Sequence, residues 1–506
     1  MQMLHDLVRG LAEFEITGPP DVMVRSVTGD SRNIQPQDLF VAVRGTVIDG
    51  HTMIASAVEN GATVVVGERH VGDIDFGHGE PGITLTYIRV PDTRSVHAAL
   101  LRAAQPEIVE ALGSIAFYGV TGTNGKTTVA TILEQMLNAS GKVTGFIGTT
   151  GIRYLDVEIE ATHTTPDVER LYELIVMMHR AGVKAIAMEV SSHALDQNRI
   201  DGISFTGAVF TNLTRDHLDY HHTMEAYAAA KHKLFLGLSE SAIAVVNADD
   251  SWAPFMRRGC NASATIDVGT GAGNEVEICN INATAHGATF TLRAHAPGET
   301  PYEFEIHTPL IGQFNVMNAA LCVTLLWARG LAVPALQKIM QNVHGPRGRM
   351  ERILVPGDRT AVIDYAHTPD ALEKALVALR AVMHQPGARL HVVFGCGGDR
   401  DAGKRPEMGR IASEFADTIY VTSDNPRTED PRAIIDDILA GIPEQIRTSD
   451  AVHVIEDRRH AIIAALMKAH PHDVVLIAGK GHEEYQVVGL EKIPFSDGSV
   501  VLEFGS

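Results

Sequence analysis

The chain has 506 residues, of which 45% are apolar and 21% charged, a composition typical of a globular protein with more than one domain. Its net charge of −20 disfavours nonspecific binding to nucleic acid or anionic lipid. Apolar runs stay short of the roughly 18 residues that a membrane helix needs, the N-terminus lacks the pattern of a secretory signal, and four cysteines without a CxxC pair argue against a disulfide framework.

The predicted elements fall into three successive regions. Residues 1–97 contain the apolar runs LFVAV and ATVVVG ahead of a helical stretch, and they predict a separate N-terminal domain. From Ser114 onward, apolar runs alternate with helical patterns, which predicts a parallel sheet with helices on its faces. Alternating stretches within 266–310 indicate β-hairpins in that domain. A hinge, GPRGR, precedes a second, smaller series of this kind, so we predict an α/β protein with domains 1–97, 98–343 and 344–506.

The segment YGVTGTNGKTT, residues 118–128, predicts a phosphate-binding loop between a strand and a helix. Its glycines let backbone N–H groups approach an anion, Lys126 supplies charge for the outer phosphates, and the Thr127 hydroxyl is placed to ligate Mg²⁺. Val120 stands where the generic pattern has glycine, so the loop is a variant. The competing interpretation is an ordinary glycine turn before a helix, which leaves Lys-Thr-Thr unexplained. The glycines concerned are Gly119, Gly122 and Gly125.

Polar residues after the next two strands of this domain predict a metal site. Glu189 ends the apolar run in AMEVSSH and is expected to be a second Mg²⁺ ligand, although a carboxylate there could also cap the following turn. Asp216 and His217 follow a strand in the same way, and their cluster favours His217 as a ligand. From the residues alone, Lys231 is either a phosphate contact or a solvated helix lysine.

In the last domain, Asp364 and three basic, glycine-rich loops follow strands and should converge at one edge of a sheet. The loops are GCGGDRDAGKRP, SDNPRTEDP and AGKGHE. Arg400 and Arg427 can each bind a carboxylate in bidentate fashion, so this edge is expected to bind an anionic ligand. Two domains with such edges favour an enzyme that phosphorylates a carboxylate with ATP and lets an amine attack the acyl phosphate.

Several motifs together resemble the Mur ligases, and the resemblance runs nearly end to end. They are GTNGKTT (122–128), MEVSSHALDQNR (188–199), TRDHLDYH (214–221), AKHKLF (230–235), GQFNVMNA (312–319), GRME (348–351) and DYAHTPDAL (364–372). The family implies an N-terminal domain for the uridine nucleotide, a central P-loop ATPase domain and a C-terminal Rossmann-like domain. It also implies a cytoplasmic enzyme of peptidoglycan precursor synthesis. We expect a monomer with small-molecule substrates and no nucleic-acid or membrane partner.

The resemblance also implies a role for each matching residue. Lys126, Lys231, His217 and Glu189 are the expected catalytic residues. Lys231 would carry CO₂ as a carbamate and join Thr127, Glu189 and His217 around two Mg²⁺ ions. ATP would meet Gly122, Thr123, Asn124, Gly125, Lys126, Thr127, Thr128, Asn315, Arg349 and Asp364. The UDP-sugar and its muramoyl-dipeptide arm would meet Ser31, Thr46, Val47, Ile48, Thr164, Thr165, Ser191, Gln197 and Arg199.

The motifs DSRNIQPQDLFVAVRG (30–45) and DNPRTEDP (424–431) resemble those of members that add the third residue of the stem peptide. The amino acid would meet Arg400, Asp424, Asn425, Pro426, Arg427, Gly479 and Glu483. Diaminopimelate differs from lysine by a distal carboxylate, which Arg427 would pair, so meso-diaminopimelate is the expected substrate. The alternatives are the same ligation with L-lysine, a folylpolyglutamate-type ligase, and a nonenzymatic nucleotide-binding regulator.

Overall fold

The computed structural model describes residues 1–45, 48–77, 85–295 and 302–505. Its N-terminal region alternates short strands with helices and includes two 3₁₀ turns, Gly50–Met53 and Val71–Asp73. The elements of this region are β1 (Gln2–Met3), α1 (Leu4–Val8), β2 (Glu15–Thr17), β3 (Met23–Val24), β4 (Val27–Thr28), β5 (Asp38–Val41), α2 (Ile54–Glu59), β6 (Ala62–Gly67), β7 (Thr86–Arg89), α3 (Thr93–Ala104) and α4 (Pro106–Ser114).

The middle region begins with the strand that leads into the predicted phosphate loop. Its elements are β8 (Ala116–Thr121), α5 (Lys126–Ala139), β9 (Thr144–Gly148), β10 (Gly151–Tyr154), β11 (Val157–Ile159), α6 (Val168–Arg180), β12 (Ala185–Glu189), α7 (Ser192–Asp196), β13 (Phe205–Phe210), α8 (Leu218–His221), α9 (Met224–Leu236), β14 (Ile243–Asn247), α10 (Ala253–Arg257), β15 (Ala264–Gly269), β16 (Val276–Thr284), β17 (Gly287–Ala294), β18 (Tyr302–Thr308), α11 (Gln313–Ala328) and α12 (Val333–Met340).

The C-terminal region again alternates strands and helices. It contains β19 (Glu351–Val355), β20 (Arg359–Asp364), α13 (Pro369–Val382), β21 (Leu390–Phe394), α14 (Lys404–Phe415), β22 (Thr418–Val421), α15 (Pro431–Ala440), α16 (Glu444–Arg447), β23 (Val452–Val454), α17 (Arg458–Lys468), β24 (Val474–Ala478), β25 (Tyr485–Val488), β26 (Glu491–Pro494) and α18 (Asp497–Gly505). None of the helices in the described ranges combines the length and apolarity needed to cross a bilayer.

Side-chain caps explain where the helices near the predicted sites begin. Asp167 accepts a hydrogen bond from Arg170 N at the start of α6, and Thr223 accepts one from Ala226 N at the start of α9. These caps satisfy backbone N–H groups that a first helical turn leaves without partners. The polar residue that starts each helix therefore also fixes where the preceding loop ends.

The first of two packed units comprises Met1–Lys126, Gly141–Ala244 and Pro254–Thr265. It holds a five-stranded sheet in the order β2-β7-β6-β5-β4, in which β2 is antiparallel to β7 and the other pairs are parallel. Six further strands follow the order β11-β10-β9-β12-β8-β13 and are parallel from β9 to β13. The loops after β8, β12 and β13 therefore emerge at one edge.

The second unit comprises residues 127–140, 245–253 and those from 266 onward. Strands β16, β17 and β18 pair antiparallel, which confirms the β-hairpins predicted within 266–310. A six-stranded sheet has the order β19-β20-β24-β21-β22-β23 and is parallel except for β19. Apolar side chains of α13, α14 and α15 pack on one face, and those of α17 and α18 pack on the other. The predicted α/β class with largely parallel sheets is confirmed.

Candidate active site

The predicted phosphate loop lies between β8 and α5, and the neighbouring strand end braces it. Gly122 and Gly125 have φ of 152° and 85°, and a Cβ at Gly122 would lie 1.9 Å from Thr211 Oγ1. Thr211 Oγ1 donates to Asn124 O at 2.6 Å, and Asn212 O accepts from Thr123 N at 2.8 Å. Glycine is therefore required at 122 for both backbone angle and space. Thr127 and Thr128 follow Lys126 in the first turn of α5.

Val120, which departs from the generic loop pattern, is a buried strand residue. It pairs with Glu189 of β12 and Val209 of β13, so its side chain contributes to the sheet rather than to the loop. The substitution therefore leaves the backbone at Gly122 and Gly125 unaffected.

Two lysines donate to one backbone carbonyl of this loop. Lys126 Nζ lies 3.0 Å from Gly122 O and 2.9 Å from Thr123 O, and Lys231 Nζ lies 2.7 Å from the same Gly122 O. Lys231 is only 1% exposed, so the interpretation as a solvated helix lysine is wrong. Burial, and secondarily the charge of Lys126, lowers the pKa of Lys231 well below its ordinary value. The Lys231 amine also lies 4.5 Å from the ring centroid of Tyr227.

Glu189 ends β12 as a buried carboxylate at the same edge as the loop. Its Oε1 accepts from Thr149 N at 2.7 Å, and its Oε2 lies 3.3 Å from the Thr149 hydroxyl. Thr149 follows β9, and its hydroxyl also lies 3.0 Å from that of Thr164. We did not predict Thr149 from the sequence, although its place after a parallel strand is the signal that would have identified it.

His217 begins α8 in the left-handed region, with φ 52°, and its side chain is 44% exposed. Its Nε2 lies 3.5 Å from Asp216 Oδ2. The His193 ring is 5.0 Å away, and burial together with the charge of His217 lowers the pKa of His193. A left-handed backbone is uncommon for residues other than glycine, although histidine is one of the residues that adopt it more often.

The residues predicted to hold Mg²⁺ have suitable donor chemistry. Carboxylate and hydroxyl oxygens are the ligands that this ion prefers, and Glu189 and Thr127 supply one of each. Across the described ranges, no group of three His, Cys, Asp or Glu side chains is arranged to hold a metal ion by itself.

Four of the residues predicted to hold the dipeptide arm form one hydrogen-bonded group. Thr165 Oγ1 donates to Glu189 O at 2.8 Å and accepts from Ser191 N at 3.1 Å. Arg199 Nη1 donates to Thr165 O at 2.8 Å, and its Nη2 donates to Gln197 Oε1 at 2.7 Å. The group shares Glu189 with the phosphate-loop edge, so the structure brings the two predicted sites together.

The predicted uridine-binding residues are only partly described. Thr46 and Val47 lie outside the described residues, and Ile48 is 58% exposed. Ser31 is buried, and its carbonyl accepts from Asn60 Nδ2 at 3.1 Å. The N–H group of Gly29, two residues before Ser31, donates to Glu169 Oε2 at 2.9 Å. Sequence reasoning did not identify this link between the N-terminal loop and α6.

The residues predicted to contact ATP in the second unit differ in their surroundings. Asn315 is buried in α11, where its side chain bonds Ile311 O at 2.8 Å and Asn318 Nδ2 at 2.9 Å. Asp364 ends β20, accepts from Met350 N at 2.7 Å, and burial raises its pKa. The Arg349 guanidinium lies 4.8 Å from the ring centroid of Tyr365. Arg349 and Asp364 thus lie together at a sheet edge, whereas the Asn315 amide is occupied within its own helix region.

Three loops meet at the carboxyl edge of the C-terminal sheet, as predicted. Arg427 has φ 52°, donates through Nη1 to Gly398 O at 2.6 Å, and exchanges backbone hydrogen bonds with Val487 and Gly489. Arg427 and the exposed Arg400 both lie near Asp399, whose pKa is lowered first by hydrogen bonds from Thr428 and then by these two cations. Asp424, Asn425 and Pro426 precede Arg427, and Gly479 and Glu483 belong to the loop after β24.

A buried lysine at this edge escaped the sequence prediction. Lys480 lies between Gly479 and Glu483, and its Nζ contacts the side chains of Asn425 and Glu483 at 3.0 and 3.1 Å. The stretch AGKGHE was recognised as a basic loop, but the sequence gives no sign that its lysine is completely buried.

Comparisons with known proteins match this chain in three consecutive stretches. Residues 23–115 match the Mur ligase family catalytic domain, 120–326 the Mur ligase middle domain, and 348–481 the Mur ligase glutamate ligase domain. A UDP-N-acetylmuramoyl-L-alanyl-D-glutamate--2,6-diaminopimelate ligase of Listeria monocytogenes is 40% identical, over 98% of this chain and 96% of its own. The enzyme of the same description from Chlorobaculum tepidum is 43% identical, over 98% and 95%.

A solved structure gives the same result at the level of the fold. That structure, of a UDP-N-acetylmuramoyl-L-alanyl-D-glutamate--2,6-diaminopimelate ligase, is similar to this chain with a TM-score of 0.75 and 32% identity. The similarity covers 99% of this chain and 98% of the other. The resemblance inferred from the motifs is thus confirmed, and the chain belongs to the Mur ligase family.

Proposed function

We propose that this chain is an ATP-dependent amide ligase that joins meso-diaminopimelate to the D-glutamate of UDP-N-acetylmuramoyl-L-alanyl-D-glutamate. The reaction passes through an acyl phosphate, releases ADP and phosphate, and belongs to peptidoglycan precursor synthesis. The observation that carries the proposal is the near full-length identity of about 40% to ligases of that description. The chain also has Arg427 at the carboxyl edge of its C-terminal sheet, which we call the amino-acid edge. L-lysine as the amine remains the second candidate, and Arg427 argues against it.

The phosphate loop and the neighbouring strand ends supply the groups that phosphorylation of the substrate carboxylate requires. Lys126 neutralises charge on the outer phosphates of ATP, and the Gly122–Gly125 backbone orients N–H groups toward them. Thr127, Glu189 and His217 would hold Mg²⁺, which would supply positive charge for phosphoryl transfer. Thr165, Ser191, Gln197 and Arg199 hold the dipeptide so that its carboxylate meets the γ-phosphate.

Lys231 acts in this scheme as a carbamate. Burial lowers the pKa of its amine well below the ordinary value, which favours the uncharged form that adds CO₂. The product carries a negative charge, which the neighbouring Lys126 ammonium, bonded to the same Gly122 O, would stabilise.

The carbamate is tested by ¹³C NMR of the enzyme in ¹³C-bicarbonate. We expect a carbamate resonance that Lys231→Met removes and that Lys233→Met, an exposed lysine of the same helix, leaves in place. A spectrum of the wild type that matches the Lys231→Met variant would exclude the carbamate.

The function itself is tested by phosphate release and product mass with ATP, Mg²⁺ and the UDP-dipeptide, offering meso-diaminopimelate and L-lysine in parallel. A strong preference for diaminopimelate supports both the reaction and the role of Arg427. Preference for lysine would exclude that role while retaining the reaction class. Turnover with neither amine would point to another ligase activity or to a regulator.

The remaining parts of the proposal are the location and assembly of the enzyme. We place it in the cytoplasm as a monomer with domains 1–97, 98–343 and 344–506. Gel filtration with light scattering tests the monomer, and limited proteolysis tests whether cleavage falls near residues 97 and 343.

A further inference from the structure

The Lys480 ammonium is completely buried and contacts acidic and amide side chains at the amino-acid edge. It lies 3.0 Å from Asn425 Oδ1, 3.1 Å from Glu483 Oε2 and 3.5 Å from Asp424 Oδ1. An ammonium without compensating partners is among the costliest groups to bury, so these contacts must offset a large desolvation penalty. The three partners are all residues that our proposal assigns to amino-acid binding.

Lys480 also determines how the Asn425 amide is oriented. Asn425 Oδ1 accepts from Lys480 Nζ and from Val487 N, the latter at 2.9 Å, so the amide nitrogen faces the other way. That nitrogen donates to Glu483 Oε2 at 3.0 Å. Both hydrogen bonds to Glu483 therefore arrive at one carboxylate oxygen, which fixes the plane and rotation of its side chain.

The second carboxylate of this cluster has an unsatisfied oxygen. Asp424 Oδ1 is buried and accepts no hydrogen bond within the described part of the chain. A buried carboxylate oxygen without a donor is costly and fits a site whose ligand brings a positively charged N–H group.

We propose that Lys480 is a positioning residue of the amino-acid site. Its ammonium holds the acidic pair, Asp424 and Glu483, in the arrangement that receives the ammonium group of a zwitterionic amino acid. Because Lys480 is 0% exposed, it acts through these side chains and does not touch the substrate. The cation offsets repulsion between the two carboxylates, and the three groups together keep one net negative charge for the incoming ammonium.

This inference rests on the proposed function, because the substrate is the amino acid of that reaction. It also explains a division of roles at this edge. Arg427 favours the distal carboxylate of diaminopimelate, Arg400 can bind a second carboxylate, and the acidic pair favours an ammonium group. Lys480 orients the acidic pair for the substrate ammonium, while its own ammonium stays buried and does not face the substrate.

The test is steady-state kinetics of Lys480→Met, with each of the three substrates varied in turn. We expect the KM for diaminopimelate to rise by about 30-fold or more, since one partner of a buried charge cluster is lost. The KM for ATP and for the UDP-dipeptide should stay within about twofold of the wild type, a split that a general folding defect would not produce. Lys492→Met, an exposed lysine on the adjacent hairpin, is the matched control and should behave as wild type.

Each result decides the proposal. A folded Lys480→Met variant with an unchanged KM for diaminopimelate, or with all three KM values raised together, would overturn it. If Lys480→Met does not fold, adding Glu483→Gln should restore folding, because one of the two carboxylates left without the cation is then neutral; failure to do so would also overturn the proposal. A wild-type enzyme without turnover on diaminopimelate would instead refute the proposed function, which separates the two failures.

Discussion

Replacing Arg427 by methionine should convert a diaminopimelate-selective site into one that no longer distinguishes the distal carboxylate. The Arg427 backbone is left-handed, with φ 52°, and is bonded to Val487 and Gly489 of the neighbouring hairpin. A left-handed backbone costs methionine and arginine the same conformational energy, whereas it would cost glycine less. The methionine variant therefore reports the loss of the guanidinium alone. The variant also loses the hydrogen bond from Nη1 to Gly398 O, which contributes about 1 kcal/mol to the loop.

The expected magnitude follows from losing one partner of a largely desolvated ion pair. Such truncations cost roughly 2–5 kcal/mol, which corresponds to a fall of about 30-fold to several thousandfold in kcat/KM for diaminopimelate. Lysine has no distal carboxylate, so its kcat/KM should change by less than about fivefold, as the loss of the Gly398 contact alone implies.

The assay offers each amine separately to the wild type, to Arg427→Met and to a control variant, Arg432→Met. Arg432 is an exposed arginine in the first turn of α15. Phosphate release gives kcat/KM for each amine, and product mass confirms which amide formed. Equal losses for diaminopimelate and lysine in Arg427→Met would refute the pairing of Arg427 with a substrate carboxylate.

Two further predictions concern the N-terminal region. Glu169→Ala removes the acceptor of the Gly29 N–H group and should raise the KM for the UDP-dipeptide about tenfold, whereas Glu169→Gln keeps an acceptor and should restore most of the affinity. Burial lowers the pKa of the His97 imidazole from 6.5 to about 4. As pH falls from 6.5 to about 4, the imidazole is therefore protonated in the unfolded chain but not in the folded one, and the folded state loses stability. Over that interval His97→Gln should abolish about 3 kcal/mol of pH dependence in urea unfolding; a difference from wild type that is constant with pH would contradict the assignment.

The sequence indicates the position of most candidate site residues because those residues follow a local rule. Glu189 and Asp364 each end an apolar run, and within each of their two separate sheets the parallel order of the strands brings such ends to one edge. The phosphate loop is equally local, since its glycines and Lys126 lie within a few residues. Patterns of this kind depend on chain neighbours and are therefore visible without the fold.

The burial and partners of charged side chains could not be predicted in this way. Lys231 lies on a helix whose sequence shows no clear apolar face, and its burial follows from the approach of Gly122, 109 positions away. Lys480 depends on Asn425, 55 positions distant. Asn315 shows the converse, because its side chain bonds the Ile311 carbonyl before α11 and the Asn318 amide within it, contacts that the motif GQFNVMNA does not reveal.

In the C-terminal region, the segment proposed to bind ATP and the segment proposed to bind the amino acid meet at two glycines, which gives a last prediction. A Cβ at Gly348, beside Arg349, would lie 2.1 Å from the carbonyl carbon of Gly481, in the loop of Lys480 and Glu483. Gly348→Ala must therefore displace one backbone segment and should raise the KM for both ATP and diaminopimelate. Gly387→Ala is the control, because Gly387 also has positive φ, 82° against 66°, but no atom lies within 4 Å of its Cβ position. Both variants lose about 1 kcal/mol of stability through the left-handed backbone. Only the clash distinguishes them, so equal KM values in the two variants would show that the glycine contact does not couple the two halves of the site.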